Sequence, residues 1–306
     1  ETVTQRAAKE FRETSEADFA YGKKELGRFR VNVYRQRGSV SLVLRRVLPT
    51  TQNFGELGLP SILEKLSVEQ RGLVLVTGPT GSGKTTTLSS MVDYINVTRR
   101  VNIVTIEDPI EVLHRDNNSI VSQREIGMDT EDFSQALRRV LRQDPDVILI
   151  GEIRDAETVR AALQAAETGH LVLSSLHTID ATETINRIVD FFPPYQQKQI
   201  RLLLAATLKG VVSQRLLEKV DGQGRVPSVE VLTMNGRVYD RIIDESLTSE
   251  IVDVITESEF YGMQTFDQSI LHLYEKGQIS FQVAVANASN SHDFRVKAEQ
   301  LGLVTV

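Results

Sequence analysis

The chain has 306 residues, 41% hydrophobic and 25% charged, which suits a soluble globular protein of one large or two modest domains. No apolar run approaches the roughly 18–20 residues that span a bilayer, and no secretory signal opens the chain. Zero cysteine excludes disulfides and thiolate metal sites and suits the cytoplasm, and a net charge of −6 gives no global pull toward nucleic acid or anionic lipid.

Residues 1 to about 20 are polar with scattered apolar positions, and a helix is expected near residues 4–12. From Gly27 to Arg35 the pattern alternates, placing Phe29, Val31 and Val33 on one face. Gln36-Arg37-Gly38-Ser39 reads as a turn and Val40 to Val47 as a second strand, so a hairpin is expected. Arg28, Arg30 and Arg35 project from its polar side or its turn, which by itself is the pattern of a solvated strand face. Pro49 to Pro60 mixes Pro, Gly and polar residues and reads as a linker. Two strands and one helix before it are too few for a self-sufficient core.

From Ser61 onward helix and strand signals alternate, which predicts an α/β fold with a mostly parallel sheet. Helices are expected at 61–70, 84–95, 131–142, 156–168, 181–190 and 195–213. Strands are expected at 73–77, 101–106, 146–150, 171–176 and 228–232, with an edge strand at 119–124. In helix 131–142, Phe133, Leu137, Val140 and Leu141 share a face. The solidly apolar run 146–150 is expected in mid-sheet, and residues 236–306 read as a helical bundle.

The stretch between strand 73–77 and helix 84–95 carries the most specific chemistry. Gly78-Pro79-Thr80-Gly81-Ser82-Gly83-Lys84-Thr85 fits G-x-x-x-x-G-K-S/T, the phosphate-binding loop. Glycines let successive N–H groups turn toward phosphate oxygens, and the following helix adds its positive end. Thr86 continues the loop into the helix, Lys84 reaches the β- and γ-phosphates, and the Thr85 hydroxyl is a Mg²⁺ ligand. The motif predicts binding of a nucleoside triphosphate.

Hydrolysis also needs a carboxylate near the attacking water. Strand 101–106 delivers Glu107 and Asp108 just before Pro109, and strand 146–150 delivers Gly151-Glu152. Ligands of open α/β sheets sit at the carboxyl ends of strands, so these acids converge on the phosphate loop. Glu152 is the better general base, because a central strand and a glycine precede it; a plain pairing with Arg154 is the structural alternative. Glu107 and Asp108 also fit a capping or turn role. His170 and His177 flank strand 171–176 at an odd spacing and a separation of about 23 Å, too far to share a metal ion. His177 falls at the carboxyl end, where it can bond a γ-phosphate. His114, His272 and His292 belong to no constellation and read as surface residues.

The motifs GPTGSGKTTTL, IEDPIE (106–111), ILIGEIRD (148–155) and TGHLVLSSLHT (168–178) occur in order, preceded by RFRVNVYRQRG (28–38). Together they resemble the secretion-superfamily ATPases, and most closely the PilT-type retraction ATPases of type IV pili. The resemblance covers nearly the whole chain. It implies a RecA-like ATPase core at 61–235, preceded by the latter part of a PAS-like α+β domain at 1–48 and a linker at 49–60, and followed by a helical region at 236–306. The chain opens on Glu1 rather than Met, and the resemblance implies that the start of the PAS-like domain is missing. It further implies a homohexameric ring that hydrolyses ATP with Mg²⁺ at Thr85, with Glu152 activating water, Glu107 in the acidic box and His177 sensing the γ-phosphate. Arginines of the hairpin would compensate charge at the nucleotide, with Arg28 and Arg37 placed ahead of Arg30 and Arg35.

The implied work is pilus retraction and twitching motility, from the cytoplasm and peripheral to the inner membrane, on a platform protein and with a paralogous pilus ATPase as a further partner. The family's AIRNLI motif is replaced by Val238-Tyr-Asp-Arg-Ile-Ile243, which leaves open a paralogue that assists retraction or one that serves a related machine. An assembly or type II secretion ATPase is an alternative, against which the missing tetracysteine module speaks. A nucleic-acid motor using the hairpin arginines is a further one; an acidic chain with 6% aromatics offers few stacking platforms, so no nucleic-acid partner is expected.

Overall fold

A computed structural model describes residues 5–23, 26–47 and 52–303. Residue 4 of the first expected helix and residues 49–51 of the expected linker lie outside them. Helix α1 (Gln5–Thr14) leads into a three-stranded antiparallel sheet in the order β1 (Glu16–Lys23), β2 (Gly27–Gln36), β3 (Ser39–Arg46). The hairpin falls where the alternation predicts it, and β1 is an addition to it. The strand was hidden because EADFAYGK carries only two well-buried positions, Ala17 and Phe19. These join Ala7, Val31 and Val33 in a small core beneath α1. On β3, Leu42 and Leu44 pair with Val33 and Val31 but remain more than half exposed. The other face of the hairpin, bearing Arg28 and Arg30, turns toward the rest of the molecule rather than to open solvent.

After a one-turn helix α2 (Phe54–Leu57), opened by a reciprocal Asn53–Glu56 capping box, comes α3 (Ile62–Ser67). A seven-stranded sheet follows, built from β4 (Gly72–Thr77), β5 (Asn102–Glu107), β6 (Ile120–Glu125), β7 (Val147–Ile150), β8 (Leu171–Leu176), β9 (Leu208–Glu218) and β10 (Arg225–Thr233). Its spatial order is β10-β9-β4-β8-β7-β5-β6, and every pairing is parallel except β9 with β10. The fold is therefore α/β with a mostly parallel sheet. Strand β6 lies at one edge and β7 inside, as their apolar content predicts.

Helix α4 (Lys84–Thr98) covers one face with α3, and Val74, Val76, Met91, Ile95 and Leu171 fill that layer. On the other face lie α5 (Phe133–Val140), α6 (Ala156–Glu167), α7 (Ala181–Asp190) and α8 (Pro194–Thr207), over Leu73, Leu75, Ile148, Ile150 and Val172. Because both faces are covered, the strands read as continuous apolar runs. Leu141 falls past the end of α5 and is 37% exposed, off the face it was expected to share.

The expected helix 195–213 ends at Thr207, and β9 begins at the next residue. Leu208, Val211 and Val212 fit a helical period, but a strand buried on both faces gives the same apolar run. The β-branched pair and Gly210 decide for strand: a Cβ at 210 would stand 2.9 Å from Leu66 and 3.0 Å from the Leu232 carbonyl. The C-terminal part contains α9 (Gly236–Ile243), α10 (Ile251–Glu257), α11 (Phe266–Glu275), α12 (Phe281–Asn287) and α13 (Ser291–Gln300) with two short 3₁₀ turns. The last three helices pack their own core around Phe266, Ile270, Ala284 and Phe294 against Leu217 and Val226 of the sheet. No helix among the described residues is long and apolar enough to cross a membrane.

Candidate functional site

The strand order β4-β8-β7-β5 brings four strand ends side by side at a lateral spacing of about 4.8 Å. In that row follow the phosphate loop after β4, His177 after β8, Gly151-Glu152 after β7, and Glu107-Asp108 at the end of β5. A cleft of about 700 Å³ opens over them, a volume within the range of small-ligand sites.

The loop needs its glycines. Gly78 has φ +142°, and a Cβ there would meet the Gln214 carbonyl at 2.4 Å and Ser82 Oγ at 2.6 Å. Gly83, at φ +94°, precedes the first residue of α4. Thr80, Gly81, Gly83, Lys84, Thr85 and Thr86 line the cleft. Ser82 is buried behind them, and its Oγ has no hydrogen-bond partner among the described residues. Gly78 and Pro79 hold Lys84 from beneath: its Nζ donates to their carbonyls at 2.8 and 3.1 Å.

A third contact of Lys84 reaches His177 Nδ1 at 3.3 Å, and His177 Nε2 lies 2.9 Å from Glu152 Oε1. Lysine has only protons to give, so Nδ1 accepts and the ring proton sits on Nε2, aimed at the carboxylate. Lys84, His177 and Glu152 thus form one connected line across the strand ends. Burial pushes the Lys84 ammonium below its ordinary pKa, and the charges of Glu152 and Glu111 pull it back up. The second Glu152 oxygen binds Arg154 at 2.9 Å, and Arg154 approaches Asp108 at 3.8 Å. The pairing with Arg154 and the position facing Lys84 coexist; the cap of α6 is Asp155, not Glu152.

Glu107 lines the cleft but is buried, accepting from Thr105 Oγ1 at 2.7 Å and Gln123 Nε2 at 3.0 Å. Burial raises its pKa against those bonds. Gly151 lies against the end of β5, where a Cβ would make ordinary contact with the Ile106 carbonyl at 3.4 Å and Glu107 Cα at 3.5 Å. Thr85 lines the cleft together with Glu107, Asp108 and Glu152, an oxygen-donor set that suits Mg²⁺ held by one or two protein ligands and phosphate oxygens. Among the described residues no group of three His, Cys, Asp or Glu is arranged to hold a metal by itself.

The hairpin arginines separate sharply. Arg30 lines the cleft, and so does Arg45, its direct cross-strand partner on β3. Neither has an ion pair among the described residues, although like charges face to face repel. Arg28 instead binds Glu125 at 2.6 Å at the seam with β6. Arg35 lies over the Phe11 ring of α1, and Arg37 sits in the turn at φ +49°, outside the cleft lining. Within one chain, Arg28 and Arg37 are therefore away from the phosphate loop. Arg45 escaped the sequence reading, yet a turn pairing Gln36 with Ser39 already sets it opposite Arg30. Arg225 lines the same cleft and had no sequence signal.

His170 is satisfied structurally, its Nδ1 2.9 Å from the Ala165 carbonyl at the far end of β8. His114 is half-buried rather than a surface residue, and burial lowers its pKa.

A mostly parallel sheet with a glycine-rich phosphate loop after one strand and a carboxylate after the next strand but one defines a phosphate-loop α/β protein. The chain belongs to the type II/IV secretion system protein family, whose model matches residues 23–285. It is 45% identical over 281 residues to a twitching motility protein of Neisseria gonorrhoeae, covering 92% of this chain and 75% of that one. It is 43% identical over 286 residues to the type IV pilus retraction ATPase PilT of Pseudomonas aeruginosa, covering 94% and 83%. A crystal structure of the pilus retraction motor PilT with bound ADP matches with a TM-score of 0.89 at 45% identity, over 95% of this chain and 83% of that one.

Proposed function

We propose that this chain is an ATP-hydrolysing motor that powers type IV pilus retraction and thereby twitching motility. The observation that carries the reading is the line Lys84–His177–Glu152 under the cleft, on a fold shared with the PilT motor. Residues 78–86 cradle the phosphates through backbone N–H groups, and Lys84 leaves the Gly78 and Pro79 carbonyls to meet the β- and γ-oxygens. Thr85 would hold Mg²⁺, which when bound would neutralise charge on the phosphate oxygens. Glu152 orients the attacking water and takes its proton, while His177 ties that carboxylate to Lys84 and reads the γ-phosphate.

Glu107 belongs to the acidic box, and Gln123 and Thr105 hold it in place. Arg30 and Arg45 are the hairpin arginines that meet the nucleotide of their own chain; Arg28 and Arg37 remain candidates only across a subunit boundary. Residues 1–48 are read as the latter part of a PAS-like domain, 49–60 as a linker, 61–235 as the RecA-like core and 236–306 as the helical region. The chain works as a homohexamer in the cytoplasm, peripheral to the inner membrane, on a platform protein, and a paralogous pilus ATPase is a further partner.

Two experiments test the reading. Glu152→Gln should abolish turnover and spare ATP binding; undiminished turnover refutes the assignment. Deletion of the gene should leave cells with surplus pili that do not twitch, whereas bald cells would mean an assembly motor. The departure at Val238–Ile243 favours an assisting paralogue as second reading, marked by deletion cells that retract weakly rather than not at all.

A further inference from the structure

We infer that the turn between α10 and α11 is a docking surface for a cationic polypeptide segment, presented by Phe260, Tyr261 and Glu259, with Asp253, exposed on α10, adding negative charge to the segment that leads into it. Phe260 is 95% exposed and Tyr261 58%, and their rings meet edge to face at 5.5 Å. Single exposed apolar residues are ordinary, but an aromatic pair held in water on a fixed ledge is not.

The ledge is built on both sides. Tyr261 N donates to the Ser258 carbonyl at 3.0 Å and Gly262 N to that of Glu259 at 2.8 Å. Gly262, at φ +79°, closes the turn against Ile62, where a Cβ would come within 2.9 Å. Beyond it Met263 is buried, and Gln264 exchanges backbone hydrogen bonds with Val231 at 2.8 and 3.2 Å. The backbone that carries the rings is therefore fixed, so a partner would order mainly the two side chains on binding.

Charge states what kind of partner fits. Residues 236–261 carry seven carboxylates against two arginines. Both arginines are committed within the fold, Arg237 to Glu257 at 2.7 Å and Arg241 to Glu250 at 3.2 Å. Asp253 and Glu259 have no ion pair among the described residues. Exposed ring faces attract lysine and arginine, Glu259, next to Phe260 in the chain, adds negative charge, and aromatic and arginine anchors dominate protein interfaces. An acidic segment or an anionic membrane surface would be repelled. The inference stands on this surface alone and is independent of the nucleotide chemistry.

The test uses the full chain and a fluorescein-labelled peptide of alternating lysine and leucine, with a glutamate–leucine peptide as control, read by fluorescence anisotropy. The lysine peptide should bind the wild type and weaken as salt rises from roughly 50 to 300 mM. Phe260→Ala/Tyr261→Ala and, separately, Asp253→Lys/Glu259→Lys should each weaken it by about tenfold or more. ATP turnover and melting temperature should stay at wild-type values, and the glutamate peptide should not bind. Equal binding by wild type and both variants, or no binding by the wild type, overturns the inference. So does a fall in assembly mass by light scattering on Phe260→Ala/Tyr261→Ala, because the surface would then be covered by a second copy of the chain.

Discussion

Replacing Glu230 by glutamine tests the electrostatics of the core most directly. Glu230 sits on β10, only 6% exposed, and accepts the Ala181 N–H at the start of α7 at 2.9 Å. Burial, with the nearby charges of Asp180 and Asp267, outweighs that bond and Arg215 and lifts its pKa from 4.5 to about 7. Between these two values the unfolded chain has released the proton and the folded chain still holds it. Stability therefore falls as pH rises through the window. A gap of about 2.5 units at roughly 1.4 kcal/mol each amounts to a loss on the order of 3 kcal/mol by about pH 8. Glutamine keeps the shape and an acceptor but cannot ionise. Near pH 4.5 the two proteins should unfold at similar urea concentrations; near pH 8 Glu230→Gln should be the more stable by most of that 3 kcal/mol. Because α7 begins just past His177, amide exchange at Ala181 gives a local reading of the same effect. A wild-type-to-variant difference that stays constant from about pH 5 to pH 8 would refute the reasoning, since it would mean an ordinary carboxylate.

Gly78→Ala should cost about 3 kcal/mol, through the 2.4 Å collision with the Gln214 carbonyl, and should abolish nucleotide binding; calorimetry showing wild-type affinity would contradict this. Arg28→Met strands the Glu125 carboxylate, which also holds the Ile110 N–H at 3.0 Å within the acidic box, and should cost about 3 kcal/mol. The double variant with Glu125→Gln should recover much of that loss in denaturant unfolding, and plain additivity would argue against a buried pair. Arg30→Ala and Arg45→Ala should each slow ATP turnover at least about tenfold with ADP affinity little changed, while Arg37→Ala keeps the wild-type rate. A rate that depends on Arg37 and not on Arg30 or Arg45 would place the positive charge in a neighbouring subunit.

Local sequence determined what local physics can specify. The glycine spacing of 78–83, the lysine and hydroxyl that follow, and the all-apolar strands fixed the phosphate loop and the parallel α/β class, because only a sheet covered on both faces needs such runs. The hairpin followed from alternation and its turn. Tertiary structure decided the rest. Strand β9 and a helix share one apolar pattern, and only the close approach of Leu66 and Leu232 to Gly210 selects the strand. Which hairpin arginine faces the cleft depends on which side of a three-stranded sheet α1 covers, a matter of packing and not of spacing. The joining of Lys84 to Glu152 through His177 arose from strand order alone: Lys84 and His177, 93 positions apart, met because β8 lies beside β4, and Glu152 joined them because β7 lies on the other side of β8.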